Sequence, residues 1–171
     1  WAALGLVFNT RLSAMMAQAL APTGALFAFL CVSTGSFWCK PMWGTWWTWD
    51  PRLTSELVLL FLYLGVIGLN AAIEDRRAAA RAAGFLALIG VVNVPIVHFS
   101  VEWWNTLHQG ATIKLMGESS IDASMVLPLV LITIGTKLWF MGSLLRRTQL
   151  QMLAMESGKD WVRRVAKELG A

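Results

Sequence analysis

Four stretches, at 13–36, 54–73, 82–101 and 125–145, are each apolar over about 20 residues, enough to cross the ~30 Å hydrocarbon core of a bilayer. Within lipid every backbone N–H and C=O must find its partner inside the protein, and segments of this length and continuity do so as α-helices. Composition agrees, because only 14% of residues are charged and 57% are hydrophobic, whereas soluble domains carry about a quarter charged residues. The expected fold class is an all-α integral membrane protein, a polytopic helix bundle forming one domain over 1–171. Pro22 and the glycines of the first span are tolerated in bundled membrane helices, and Asn93 and Pro95 weaken the last third of the third. The chain opens at Trp1 with neither an initiator Met nor a signal-peptide pattern. Residues 1–8 accordingly read as the partial tail of a span that begins upstream.

The basic residues orient these spans. Ten of the fourteen Lys and Arg fall in the Arg11 turn, the Arg76–Arg81 turn and the 146–171 tail. The loops at 37–53 and 102–124 carry only Lys40, Arg52 and Lys114, and Lys137 lies within the last span. Acidic residues divide five and five between the two faces, so the bias is one of Lys and Arg. The positive-inside rule then makes the basic face cytoplasmic and turns the two loops outward, toward a periplasm or its equivalent. The net charge of +4 reflects this topology and gives no reason to invoke nucleic acid.

Five of the ten tryptophans fall in the first outer loop, in the run W-C-K-P-M-W-G-T-W-W-T-W-D from Trp38 to Asp50. If that run is helical, Trp43, Trp46, Trp47 and Asp50 share one face and form an amphipathic indole shelf along the membrane surface. Gly44 and Thr45 supply backbone slack inside it. The alternative is an aromatic belt at headgroup level, though belt tryptophans come singly at helix ends. Asp50 followed by Pro51 is an ordinary helix start, with the carboxylate as cap. Arg52 has three available roles: pairing with Asp50 or Glu56, snorkelling, or meeting a ligand carboxylate.

The second outer loop reads E-W-W-N-T-L-H-Q-G, bringing Trp103, Trp104 and His108 to the same face. On a helical turn Trp104 and His108 would sit one above the other. A neutral imidazole is a common ligand of haem iron, whereas His98, near the outer end of the third span, is expected to hydrogen-bond a neighbouring helix. Cys31 and Cys39 lack any metal-binding or redox spacing and read as unpaired bystanders. A flat aromatic shelf, an imidazole at a water boundary and nearby cations together suit haem. There is no nucleophile with a base, no carboxylate pair and no Walker motif, so a non-enzymatic role is expected. Two rivals stay open: a docking subunit that does not itself bind haem, and a transporter with a pore. Few mid-membrane polar residues, beyond Asn93, His98 and Lys137, are present for the latter.

W-G-T-W-W-T-W-D-P-R-L-T-S-E-L at 43–57 resembles the tryptophan-rich "WWD" signature of haem-handling membrane proteins of cytochrome c biogenesis. L-L-F-L-Y-L-G-V-I-G-L, the D-R-R turn and G-V-V-N-V-P-I-V-H-F-S-V-E-W-W-N-T-L-H-Q-G at 90–110 are similar specifically to the CcmC family, over nearly the whole chain. The resemblance implies a six-helix bundle in the bacterial inner membrane, with haem b lying over the WWD segment at the periplasmic surface. It implies contacts from Trp43, Gly44, Trp46, Trp47, Trp49, Asp50, Trp103 and Trp104, with Arg52, or second Lys40, near the propionates. His108 matches one of two axial histidines; the other belongs to an outer loop ahead of residues 1–8. The implied partners are the transporter subunits CcmA and CcmB, the small protein CcmD, the haem chaperone CcmE that receives the haem, and membrane lipid.

Overall fold

In the computed structural model the three later long helices each begin at an aspartate that takes up free backbone N–H groups. The structure describes residues 1–110, 121–162 and 164, so Lys114, the middle of the second loop and the end of the tail lie outside the described residues. Five helices follow in order: α1 (Ala2–Phe8), α2 (Arg11–Trp43), α3 (Pro51–Ala72), α4 (Arg76–Trp103) and α5 (Ala123–Met155). No strand occurs among the described residues. Aspartates start the last three: Asp50 accepts from Arg52 N–H, Asp75 from the N–H groups of Arg77 and Ala78, and Asp122 from that of Ser124. Side-chain oxygens so placed satisfy donors that the helix itself leaves orphaned.

The chain is a multi-pass membrane protein, with α2, α3, α4 and α5 all long and apolar enough to span. The helices outrun the expected spans. α2 and α5 each contain 33 residues, or about 50 Å at 1.5 Å per residue, well beyond ~30 Å of hydrocarbon. Hence Phe37 to Trp43 is helical rather than loop, and Arg146 and Arg147 continue α5 rather than opening a separate tail. Pro41 is carried inside the last turn without ending it, and α2 stops at Gly44, where the backbone turns left-handed at φ 78° and the N–H closes on Lys40 O at 3.0 Å. Glycine accepts that conformation without a Cβ penalty. The Lys40 amine adds a second tie, donating to Gly44 O at 3.2 Å.

α3 packs between α2 and α4, α1 lies on α2 and α4, and α5 lies mainly on α2, where Phe27 and Trp139 meet edge to face. Small residues make these approaches possible. Ala21, Ala25 and Ala28 recur at i, i+4 and i+7 on α2 and are all buried, a spacing that puts them on one face. Without a hydrophobic drive between helices in lipid, such faces allow close van der Waals packing. Polar ties add to it: Asn93 donates to Ser55 O across α4 and α3 at 2.9 Å, and Gln18 donates to Asn70 across α2 and α3 at 2.8 Å. Asn93 thus links helices rather than lining a path.

Gly24 is the closest of these approaches, since a Cβ there would fall on the ring of Tyr63. Gly24→Val should therefore wedge α2 from α3 and cost about 1–3 kcal/mol, the usual range for overpacking. Thermal unfolding in detergent would register the loss, and Tyr63→Ala in the same chain should recover part of it. A wild-type melting curve for the single variant would mean that α2 and α3 do not depend on this contact.

Candidate functional site

Asp50 does more than cap α3. Its side chain is at the junction of the two outer loops, and the residue is 5% exposed. One carboxylate oxygen accepts the Arg52 N–H at 3.0 Å and faces His108 Nδ1 at 2.9 Å. The other accepts the Thr106 hydroxyl and, at 2.9 Å, the Leu107 N–H. The Thr106 oxygen in turn accepts the His108 N–H at 3.1 Å. One buried carboxylate therefore ties the start of α3 to residues 106–108.

Burial by itself would push the Asp50 carboxyl up. The Thr106 hydroxyl and the Leu107 and Arg52 N–H groups, with the facing His108 ring adding to them, outweigh it, and the group titrates below its ordinary range. An ionised carboxylate only accepts hydrogen bonds, so the shared proton sits on His108 Nδ1. In the neutral ring Nε2 is then the imidazole nitrogen with a free lone pair, and it has no hydrogen-bond partner among the described residues. Carboxylate, imidazole and an open nitrogen in that order make the arrangement by which proteins orient and enrich a histidine ligand.

Two indoles enclose the imidazole. Trp38 lies nearly parallel to it, with ring centres 6.1 Å apart and planes at 28°, and Trp43 meets it edge-on at 4.9 Å. The two indoles are also in edge contact, at 5.3 Å. Both come from the last turns of α2, the part expected to be loop. His108 keeps 16% of its side chain exposed. Beside this hub the loops leave a cleft of about 330 Å³ lined by Thr48, Trp49, Asp50, Asn105 and Thr106.

Of the expected site residues, the structure brings the side chains of Trp43, Asp50 and His108 together; Arg52 joins them only through its backbone N–H and Trp49 only at the adjoining cleft. Trp46 packs on Phe37 at 5.8 Å between ring centres, and the Lys40 amine lies over the Trp46 ring, 5.8 Å from its centre. Trp47 and Trp49 pair with each other at 5.7 Å, and Trp49 is 78% exposed. Trp103 stacks on Phe99 and touches Trp104. The shared helical face of Trp43, Trp46, Trp47 and Asp50 is not formed, because α2 ends at Trp43 and residues 44–50 are non-helical. For the same reason Trp104 does not ride above His108: α4 ends at Trp103, and Trp104 is extended at φ −125° and ψ 155°.

Arg52 is exposed and forms no ion pair among the described residues; of its expected roles, pairing with Asp50 uses its backbone N–H only. Gly44 is the left-handed cap of α2. His98 is exposed and rests edge-on against Phe99, with no hydrogen bond to another helix among the described residues, contrary to expectation. Cys31 and Cys39 are both free. Trp38, Thr106 and Leu107 are the members that sequence reasoning missed. The lack of any glycine between Gly35 and Gly44 was the available signal for Trp38, against Pro41, since a helix lasting to residue 43 carries both indoles on its outer turns.

A protein-family model described as "Heme exporter protein C" matches residues 1–163. This chain belongs to the CcmC family. Among its CcmC relatives, the "Heme exporter protein C" of Escherichia coli K12 is 54% identical over 159 residues, which are 93% of this chain and 64% of that protein. The protein of the same name from Haemophilus influenzae is 46% identical over 168 residues, 98% of this chain and 68% of its own length. A "Putative cytochrome c biosynthesis ccmC-like mitochondrial protein" of Marchantia polymorpha is 47% identical over 118 residues, 69% of this chain and 49% of its own. This CcmC chain thus spans about two thirds of the curated relatives it matches.

Proposed function

We propose that this chain supplies the haem-binding outer face of a haem exporter, holding haem b at the periplasmic surface of the bacterial inner membrane and presenting it to the chaperone CcmE. The single observation that carries this reading is the Asp50–His108 pair with Trp38 and Trp43 against the imidazole. The donor set fits the cargo: haem iron accepts an axial imidazole, and Nε2 of His108 is the nitrogen that Asp50 leaves available.

Each residue then has a role of its own. Asp50 holds the tautomer and the ring angle of His108. Trp38 and Trp43 hold the imidazole plane and exclude water from it, while Trp46, Trp47, Trp49, Trp103 and Trp104 offer exposed or half-exposed indoles to the flat faces of a porphyrin. Arg52 is the cation free to meet a propionate; Lys40 is committed to Gly44 and Trp46. The second axial ligand is the upstream histidine implied by the family resemblance. The role is non-catalytic, and ATP hydrolysis falls to CcmA, acting with CcmB and CcmD. A surface site suits a carrier, because cargo held at an open edge can be passed on. The Lys/Arg bias that sets the orientation, with α2 and α4 rising from the arginine turns to the indole end, supports the periplasmic placement.

The natural full-length protein, purified with its partners, should show a Soret band. Trp38→Ala should lower haem retention about three- to tenfold, the worth of one aromatic contact. Absorption per mole of protein measures both. No Soret band in the intact complex would instead favour the docking subunit that binds no haem.

A further inference from the structure

His108 is held at two points, and both lead to the same carboxylate. Its ring meets one Asp50 oxygen through Nδ1 at 2.9 Å. Its backbone N–H donates to the Thr106 hydroxyl oxygen at 3.1 Å, and the Thr106 O–H donates in turn to the other Asp50 oxygen. These three hydrogen bonds close a ring around His108 that lies wholly within residues 50–108. The Leu107 N–H reaches Asp50 separately, at 2.9 Å, so the loop also has an anchor that does not pass through Thr106.

A hydroxyl has one proton and two lone pairs, and an ionised carboxylate only accepts. The Thr106 proton is therefore committed to Asp50, and a lone pair is what remains for the His108 N–H. The chain from N–H to hydroxyl to carboxylate runs in one direction, and each bond polarises the next. The ring contact alone would leave a freedom, since an imidazole held only at Nδ1 can pivot about that bond and sweep Nε2 through an arc. Trp38 and Trp43 restrain the ring plane but do not fix the backbone beneath it. Residues 104–110 lie outside any helix, so no helical hydrogen bond fixes it either. Thr106 does so, and with both ends of the residue anchored only χ1 and χ2 lie between them.

We infer that Thr106 is a positioning residue of the haem site: its hydroxyl, bridging the His108 backbone to Asp50, sets the direction of the Nε2 lone pair. This rests on the haem reading above and extends it to a residue that acts only through His108 and Asp50.

Thr106→Val keeps the branched shape of the side chain and removes the hydroxyl. In the haem-free natural full-length protein, hydrogen exchange at the His108 N–H should quicken about tenfold, the worth of one hydrogen bond, while the Leu107 N–H stays protected. With haem and partners present, T106V should retain about tenfold less haem, the lower end of the loss when an outer partner of a ligand histidine is removed. The haem that stays bound should show a raised midpoint potential, because a less firmly held Nδ1–H makes His108 a poorer donor. A residue needed only for folding would lower occupancy and leave that potential alone. T106S restores the hydroxyl and should restore all three readouts.

An unchanged His108 exchange rate in T106V, equal damage from T106S, or haem lost with its potential unmoved would each overturn the assignment. If T106V fails to fold, the native protein decides: its His108 N–H should exchange as slowly as the Leu107 N–H, and fast exchange there would overturn it. The haem reading fails separately, on a wild-type complex without a Soret band. The exchange comparison uses no haem and would still decide whether Thr106 orients residue 108.

Discussion

His108→Ala in the natural full-length protein is expected to abolish the Soret band and, with it, cytochrome c production. Loss of a partner that merely orients a ligand costs about 10–100-fold in affinity, and removing the ligand nitrogen should exceed that. The fold has little reason to suffer. His108 lies outside any helix, and the Thr106 hydroxyl and Leu107 N–H still dock on Asp50 without the imidazole. Helical circular dichroism should therefore match wild type while haem is lost, and added imidazole should restore part of the absorbance. A variant with full absorbance and normal cytochrome c maturation would remove His108 from the iron.

Asp50→Ala should be nearly as damaging to haem binding and worse for the loops. It strands the Thr106 hydroxyl, the Leu107 N–H and His108 Nδ1, and it uncaps α3. A lost cap costs ~1 kcal/mol and each lost hydrogen bond at this half-exposed junction ~0.5–1.5, so the cap and three contacts together should cost about 3–5 kcal/mol. Hydrogen exchange at Thr106, Leu107 and His108 separates the two variants: it should rise strongly in Asp50→Ala and stay low in His108→Ala. Protection unchanged in Asp50→Ala would show that other contacts hold the second loop. The pH dependence has a definite sign. Asp50 titrates below its unfolded value, so its contribution is fully present above the ordinary carboxylate range, near about pH 4. It disappears only as pH falls through the depressed folded value. Near-UV ellipticity from the indoles should hold steady into mild acid and drop below it.

Much of the fold was legible because lipid leaves a chain few options. Runs such as L-V-L-L-F-L-Y-L-G-V-I-G-L read as helices without knowledge of their neighbours, and Asp50-Pro51 marked a start that the structure bears out. Helix ends were harder. Trp38 and Trp43 looked like loop because they lie beyond the hydrocarbon length, yet a helix stops at a local backbone event, here the left-handed Gly44, and not at the membrane edge.

The candidate site divides along the same line. Residue types, the gathering of indoles at one end and the presence of His108 beside them could be read from order and composition, since both follow from spans that alternate in direction. The hydrogen bond from residue 108 to residue 50, 58 positions away in the chain, could not. A carboxylate's partners beyond its own turn depend on which loops the helix packing carries together, and that is set by close contacts such as Ala21, Ala25 and Gly24 against α3. Sequence alone determined a multi-pass helical protein with its aromatics at one end and its arginines at the other. Tertiary structure decided which aromatics face the imidazole and which nitrogen Asp50 leaves open, because each of these depends on distances between helices that no single segment encodes.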